Sequence, residues 1–279
     1  MKRFRRVFIE ITNRCNLSCE FCAPSKRPAH FMTAEEFHSL AKQVAELAGM
    51  ASLHVLGEPF MHPELPAILS VCSALSLPIN LVTNGTLAKK FGHSLYNEPC
   101  LRQLSVSLHA LACLTPENRE AALSSLIGLA RAKRRDLIIS FRLRGNRGEP
   151  FREHIAREFF RAFGVEKAQA GLHGGIEMAD NVFFQEGEFF SWPGTGSASG
   201  RKSCLGLRHH FGILCTGEVI PCCVAHDGVL ALGNAFREPL SAILSGAKAQ
   251  ELRKKLSGRA AMPAYCAGCG FHAPESGAI

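Results

Sequence analysis

Thr12-Asn13-Arg14-Cys15-Asn16-Leu17-Ser18-Cys19-Glu20-Phe21-Cys22 decides how this chain is read. Cys15, Cys19 and Cys22 are spaced by three residues and then two, directly after a β-type run from Val7 to Thr12. Three thiolates can hold three irons of a cubic [4Fe-4S] cluster, which leaves the fourth iron without a protein ligand. An open metal position is a catalytic one, as in an open zinc site, whereas four thiolates close a cluster for electron transfer or structure. Taken alone, the motif also fits a zinc site short of one ligand, or small apolar thiols packed by chance.

The sequence on either side narrows the choice. Upstream, Met1-Lys2-Arg3-Phe4-Arg5-Arg6 is basic but leads into a strand carrying Glu10 rather than an apolar core, so no signal peptide is expected. No run of about 18 apolar residues is present, and a membrane span is not expected. The expected compartment is the reducing cytoplasm. There, 12 cysteines in 279 residues point to metal rather than to a disulfide framework. The net charge of +8 comes from scattered clusters such as Arg131 to Arg135 and Arg253 to Lys255. They form no stripe with interleaved aromatics, so nucleic acid is not expected. Docking of an acidic electron donor, a flavodoxin or ferredoxin, suits the basic balance better.

Downstream, strand and helix patterns alternate. Thr33-Ala34-Glu35-Glu36 is a capping box, and Phe37, Leu40, Ala41, Val44, Leu47 and Ala48 recur at helical spacing until Gly49. Leu53 to Leu56 reads as a strand, and Pro63 opens a helix with Leu65, Ile68, Leu69 and Cys72 on one face. Strands follow at Ile79 to Thr83, Leu104 to Leu108 and Leu137 to Leu143, with a weak sixth near Ala168 to Leu172. Helices are expected from Thr115-Pro116 to about Ala132 and from Phe151 to Phe163. Alternation with short loops implies an α/β fold with a parallel sheet and right-handed crossovers. About six units are too few for a closed eight-fold barrel, and a doubly wound sheet is the structural alternative. From Glu177 to Gly200 the periodicity fails, and Gly187, Pro193, Gly194, Gly196, Ser197, Ser199 and Gly200 read as linker, with Trp192 among them. The expected division is 1–176, a linker at 177–200, and a Cys-rich module at 201–279 built from a β-hairpin and a helix. The hairpin is Phe211 to Cys215 and Glu218 to Cys222 around Thr216-Gly217, and the helix runs from Pro239 to Leu256.

The CxxxCxxC loop with Phe21 before its last cysteine resembles the signature of the radical S-adenosylmethionine (SAM) superfamily. The resemblance implies an open, partial (β/α)6 TIM-like barrel. It also implies a SAM-chelating [4Fe-4S] cluster on Cys15, Cys19 and Cys22, and reductive cleavage of SAM to a 5′-deoxyadenosyl radical. Leu56-Gly57-Glu58-Pro59 resembles the family's Gly-Gly-Glu-Pro motif, with Leu56 in place of the first Gly, so Gly57 and Glu58 are expected at the SAM amino group. By the same resemblance Asn84 of Thr83-Asn84-Gly85 lines the cavity, Ser107 meets the SAM carboxylate, and Phe21 lies near the adenine. Arg142 and Arg144 alternate along one strand face, and Arg142 is the one expected at the carboxylate.

Cys204, Cys222, Cys266 and Cys269 resemble the twitch or SPASM module that holds an auxiliary cluster. The implied cofactors are SAM and two [4Fe-4S] clusters, the second fully ligated. A four-Cys zinc site is the alternative that spacing leaves open. Cys215 and Cys223 compete for a ligand position, while Cys100 and Cys113 read as structural. The expected activity is hydrogen abstraction leading to two-electron oxidation of a small molecule, as in family members that dehydrogenate an amino-cyclitol alcohol. A peptide maturase forming a thioether, C–C bond or epimer is the enzymatic alternative, and a zinc or redox-sensing protein the non-catalytic one. Glu177, Asp180, His209 and Asp227 are considered as proton acceptors, and none stands out.

Overall fold

The computed structural model describes residues 3–91, 95–166, 175–194 and 203–270. In chain order its elements are β1 (Arg6–Ile9), α1 (Ala34–Leu47), β2 (Ala51–Leu53), α2 (Leu65–Ala74), β3 (Ile79–Thr83), β4 (Leu101–Ser107), α3 (Pro116–Ala132) and β5 (Ile138–Arg144). They continue as α4 (Pro150–Phe163), β6 (Ile176–Ala179), β7 (Val182–Gly187), β8 (His210–Ile213), β9 (Val219–Ile220), α5 (Leu240–Ser245), α6 (Ala247–Leu256) and the single turn α7 (Ala264–Ala267). The fold is mixed α/β with mainly parallel strand pairing. No described helix is long and apolar enough to cross a membrane. The chain divides into two compact units. The described residues of one lie within Met1–Cys15, Ala23–Ile79 and Phe190–Glu275, and those of the other within Asn16–Cys22 and Asn80–Phe189.

In the first unit β1 lies between two parallel partners. Val7 and Ile9 register with Ala51 and Leu53 of β2, and with Phe211 and Ile213 of β8. Both neighbours are needed because β1 is apolar on its buried positions and a lone edge would leave backbone groups unpaired. The expected boundaries put residues 210–213 in a separate module, whereas here they share a sheet with the N-terminal strand. β8 has three buried residues in a row, the pattern of a strand covered on both faces. β9 returns antiparallel to it. Gly217 turns the hairpin at φ +90°, where an added Cβ would sit 2.6 Å from the Asn234 side chain.

The capping box of α1 forms as expected: the Thr33 hydroxyl accepts from the Glu36 amide and the Glu36 carboxylate accepts from the Thr33 amide. The helix then buries Phe37, Leu40, Ala41 and Val44. α2 begins at Leu65 rather than at Pro63, because residues 59–61 first form a 3-10 turn. The expected helix from Pro239 to Leu256 is broken at Gly246, whose extended backbone separates α5 from α6.

In the second unit β5 is parallel to β4 and to β7, with Ser105 opposite Ser140, Ser107 opposite Arg142, and Arg144 opposite Gly187. In-register residues share a face. One face is therefore polar, and Ser105 there donates to Asn80 of β3 at 2.9 Å. The other carries Leu104, Val106, Ile139 and Phe141, all fully buried. The linker expected at 177–200 is corrected at its start, where β6 and β7 form a hairpin turned by Asn181 at φ +58°. Val182 and Phe184 are buried, and Phe184 meets Phe159 and Phe160 of α4 at 5.4 Å each. The period-two alternation of Val182 and Phe184 was outweighed in the sequence by the Gly, Pro and Ser that follow. The expected sixth strand at 168–172, and Gly196, Ser197, Ser199 and Gly200, lie outside the described residues.

Candidate functional site

The cysteine loop contributes to both units, and each part is built differently. In the second unit the Cys22 amide donates to the Cys19 carbonyl at 3.0 Å, closing a turn over Glu20 and Phe21. Asn16 and Asn84 anchor the loop: Asn84 donates to the Asn16 side chain at 2.9 Å, and Asn16 donates to Thr86 at 2.9 Å. Phe21 stacks on Phe189 at 4.8 Å and 15°, and meets His109 edge-on at 4.9 Å. Ser107 and Arg142 end neighbouring strands in register, half-exposed on the polar face. Arg144 on that face donates to the Glu188 carbonyl at 3.1 Å. His109 Nδ1 bonds the Arg142 carbonyl at 3.2 Å. Burial pushes this imidazole down to about 4, further lowered by the Arg144 and Arg142 charges against the raising effect of that bond, so it is neutral at pH 7. Cys113 was read as structural; instead it is exposed, and its thiol donates to Cys19 Sγ at 3.3 Å.

In the first unit, Cys15 is exposed at the end of its segment. Gly57 sits at φ +75°, and a Cβ there would lie 2.3 Å from the Thr12 carbonyl oxygen, so only glycine fits. The Glu58 amide donates to the Arg14 carbonyl at 2.8 Å. The buried Glu58 carboxylate caps the 3-10 turn by accepting from the Phe60 amide at 3.0 Å. The two motifs expected to flank SAM are thus tied by backbone contacts within this unit.

A network that sequence reading missed lies beside them. Glu10, 1% exposed, follows β1. Its carboxylate accepts from the Leu56 amide beyond β2 at 3.3 Å, the Cys215 amide beyond β8 at 3.1 Å, and Arg27 at 2.6 Å. The C-terminal ends of three parallel strands therefore converge on one charge. Arg27 Nη1 also reaches Cys215 Sγ at 3.8 Å. Burial, and next the Glu10 carboxylate, push that thiol up to about 12. His226 is 5% exposed, meets Trp192 edge-on at 5.3 Å, and feels the charges of Asp227, Arg27 and Glu10. Its Nδ1 and the Arg27 Nε are buried without a hydrogen-bond partner. The sequence offered one faint signal, a carboxylate inside an apolar strand. Of the proton acceptors considered, Asp180 pairs with Arg135 at 3.4 Å on the surface, and Asp227 caps the Val229 amide.

The C-terminal thiols belong wholly to the first unit. Cys266 and Cys269 lie on one turn, where the Cys269 amide donates to the Cys266 carbonyl at 3.1 Å. The Gly206 amide donates to Cys204 Sγ at 3.4 Å, and the Val224 backbone bonds the Cys222 thiol. Amide donors two residues beyond a sulfur favour its thiolate form. Burial, and then the neighbouring Cys223, Cys204 and Cys266, hold the Cys222 thiol far above its ordinary value. Crowded thiolates that repel one another while accepting amide bonds fit a cationic iron cluster in their midst. Among the described residues, no three His, Cys, Asp or Glu groups are arranged to hold a single metal ion. A cube, by contrast, spreads its thiolates over separate irons. Cys215 lies with Glu10 and Arg27, whereas Cys223 acts on Cys222.

Comparison with known families decides the identity. Residues 9–117 match the model of the radical SAM superfamily, and residues 204–270 match SPASM, an iron–sulfur cluster-binding domain. The chain carries a radical SAM domain. A domain of this kind binds SAM through a [4Fe-4S] cluster, and the SPASM domain adds an auxiliary iron–sulfur cluster site. Curated relatives include the GTP 3′,8-cyclase of Microcystis aeruginosa, 32% identical over 120 residues, 40% of this chain and 36% of that one. The GTP 3′,8-cyclase of Staphylococcus aureus is 32% identical over 119 residues, 38% and 34% of the two chains. The alignments thus span about a third of those relatives. Among solved structures, BtrN in complex with AdoMet and 2-DOIA matches with a TM-score of 0.59 and 19% identity over 97% of this chain and 95% of that one. Streptococcus suis SuiB bound to precursor peptide SuiA gives 0.63 and 14% over 96% and 72%. Native anSMEcpe with bound AdoMet and Cp18Cys peptide gives 0.62 and 14% over 95% and 88%. These likenesses establish the radical SAM partial-barrel fold.

Proposed function

We propose that this radical SAM enzyme dehydrogenates a hydroxyl-bearing small molecule, with Cys15, Cys19 and Cys22 holding the SAM cluster and Cys204, Cys222, Cys266 and Cys269 holding one auxiliary cluster. The radical SAM domain over 9–117 would then carry the first cluster and the SPASM domain over 204–270 the second. When bound, the first cluster would supply the electron that cleaves SAM for hydrogen-atom abstraction, and the second would supply an electron acceptor.

The chain's own residues do the rest. Phe21, with His109 and Phe189 against it, offers an apolar wall for an adenine. Asn84, Ser107 and Arg142 offer polar groups to the amino-acid part of SAM, and Gly57 and Glu58 the turn that receives its ammonium. The observation that carries the dehydrogenase reading is the pair of orphaned polar atoms, His226 Nδ1 and Arg27 Nε. The Arg27 Nε–H can donate to a substrate oxygen, and a neutral His226 Nδ1 can accept from a substrate hydroxyl. Burial depresses the basicity of His226, so its imidazole is neutral and free to take that proton at Nδ1. Whole-length similarity in fold to BtrN, which was solved with AdoMet and 2-DOIA, agrees with this reading.

The deciding experiment is anaerobic reconstitution followed by incubation with a one-electron donor, flavodoxin or dithionite, and a panel of amino-cyclitols, sugar alcohols and peptides. About eight irons per chain, 5′-deoxyadenosine, and a cyclitol ketone lost in His226→Gln support the proposal. Product formed only from peptides would replace it with the maturase reading, which the peptide-bound neighbours favour. Two bound zincs with no SAM turnover would end both.

A further inference from the structure

Cys113 belongs to no motif, yet its sulfur lies 3.3 Å from that of Cys19. The contact is held from both sides. Cys113 ends the 3-10 segment Leu108–Cys113 that follows β4. Arg119 clamps this segment, donating to the Leu111 carbonyl at 3.2 Å and to the Leu114 carbonyl at 3.1 Å on either side of the cysteine. Its guanidinium is itself seated over Phe151 at 5.0 Å. From the same segment His109 meets Phe21 at 4.9 Å, two residues beyond Cys19. The segment thus docks on the cysteine loop at two points. Cys19 is fixed in turn by the Cys19-to-Cys22 turn and by the Asn16–Asn84 bond.

At 3.3 Å, thiolates on two different irons of one cube would be too close, so Cys113 is not a further ligand in this arrangement. A thiol at that distance is a hydrogen-bond donor to a ligand sulfur, and such bonds withdraw charge from a cluster and raise its reduction potential. We propose that Cys113 is a positioning residue of the SAM cluster: its S–H donates to Cys19 Sγ in the loaded enzyme, and in the cluster-free chain the same two sulfurs close as a disulfide. In that second state both thiols give up their protons and one electron each. Hydrogen peroxide takes the two electrons and the two protons, its O–O bond breaks, and two waters leave. The disulfide keeps iron out until a thiol reductant reopens it.

This inference rests on Cys15, Cys19 and Cys22 being the SAM-cluster ligands. It is tested by electron paramagnetic resonance on anaerobic holoenzyme poised at fixed potentials, following the signal that SAM perturbs. At the wild-type midpoint, Cys113→Ala lowers the reduced-to-oxidised ratio about tenfold, which is 59 mV for one electron. Cys113→Ser, which keeps a donor, restores most of it. An unchanged ratio in Cys113→Ala overturns the hydrogen bond. Should Cys113→Ala fail to load a cluster, the wild-type cluster-free chain decides. With one equivalent of hydrogen peroxide, mass spectrometry finds a Cys19–Cys113 cross-linked peptide, and iron uptake stays blocked until dithiothreitol is added. Cross-links confined to Cys15, Cys19 and Cys22 overturn the proposal. A wild-type holoenzyme with no SAM-perturbed signal instead refutes the ligand assignment.

Discussion

The two cysteine groups of this chain are built on opposite plans. In the N-terminal loop Cys15 and Cys22 are exposed and Cys19 half-buried. In the C-terminal group Cys269 is buried and Cys204, Cys222 and Cys266 are half-buried. The first group hangs on a turn and a few side-chain bonds, while Cys222 and Cys269 of the second pack into an apolar cluster with Val55, Leu214, Ile220 and Val224. Exposure suits a cluster that must admit a ligand, and enclosure one that only passes electrons. Accessibility, more than ligand spacing, separates the two roles proposed for these groups.

The contrast breaks most visibly under ligand removal. Cys19→Ala is expected to abolish 5′-deoxyadenosine and remove about four of about eight irons. Cys222→Ala with Cys269→Ala should lose a similar share of iron yet keep deoxyadenosine while losing product. Equal behaviour of the two variants, assayed by iron content and chromatography, would erase the distinction. The next largest effect concerns the scaffold. Glu10→Gln strips the charge from a buried pair and should cost about 3–5 kcal/mol in urea unfolding of the cluster-free chain. Asn16→Ala in the exposed loop should stay within about 0.5 kcal/mol. A small Glu10→Gln effect would mean that Arg27 finds another partner.

A pH dependence sharpens the comparison further. The buried Cys215 thiol is held up to about 12, so above its ordinary value near 9 it ionises only in the unfolded chain. The unfolded state then binds fewer protons, and stability falls with rising pH by about 1.4 kcal/mol per unit between those limits. Cys215→Ala should remove that slope; parallel curves for the two proteins would show that the thiol is not sequestered. The smallest expected effect is kinetic. Iodoacetamide should label Cys15 and Cys22 of the cluster-free chain about tenfold faster than Cys72, Cys100 and Cys269. Uniform labelling, read by peptide mass spectrometry, would show that the two environments exchange.

Local signals carried much of this structure. The capping box at Thr33, the Thr115-Pro116 helix start and the Gly217 turn depend on neighbouring residues alone, and each formed as read. What stayed hidden is non-local. Nothing near Phe211 says that its strand pairs with Val7, and nothing near Cys113 says that it meets Cys19. Glu10 is easily passed over because a single carboxylate has no period, although its position after the apolar run Val7-Phe8-Ile9 marks it as special. The residues proposed to meet SAM come from family resemblance; composition and spacing would not have singled out Ser107 or Arg142.

One pairing governs how such a chain comes into being. Because β1 waits for β8, synthesis must have reached Ile213 before β1 acquires its second neighbour. Until then an unsatisfied edge and the nearby sulfurs stand open together, inviting aggregation and oxidation at the same moment. Loading of iron is therefore best timed after β8 has emerged from the ribosome, and a graft that exchanges the C-terminal module must bring a replacement strand with it.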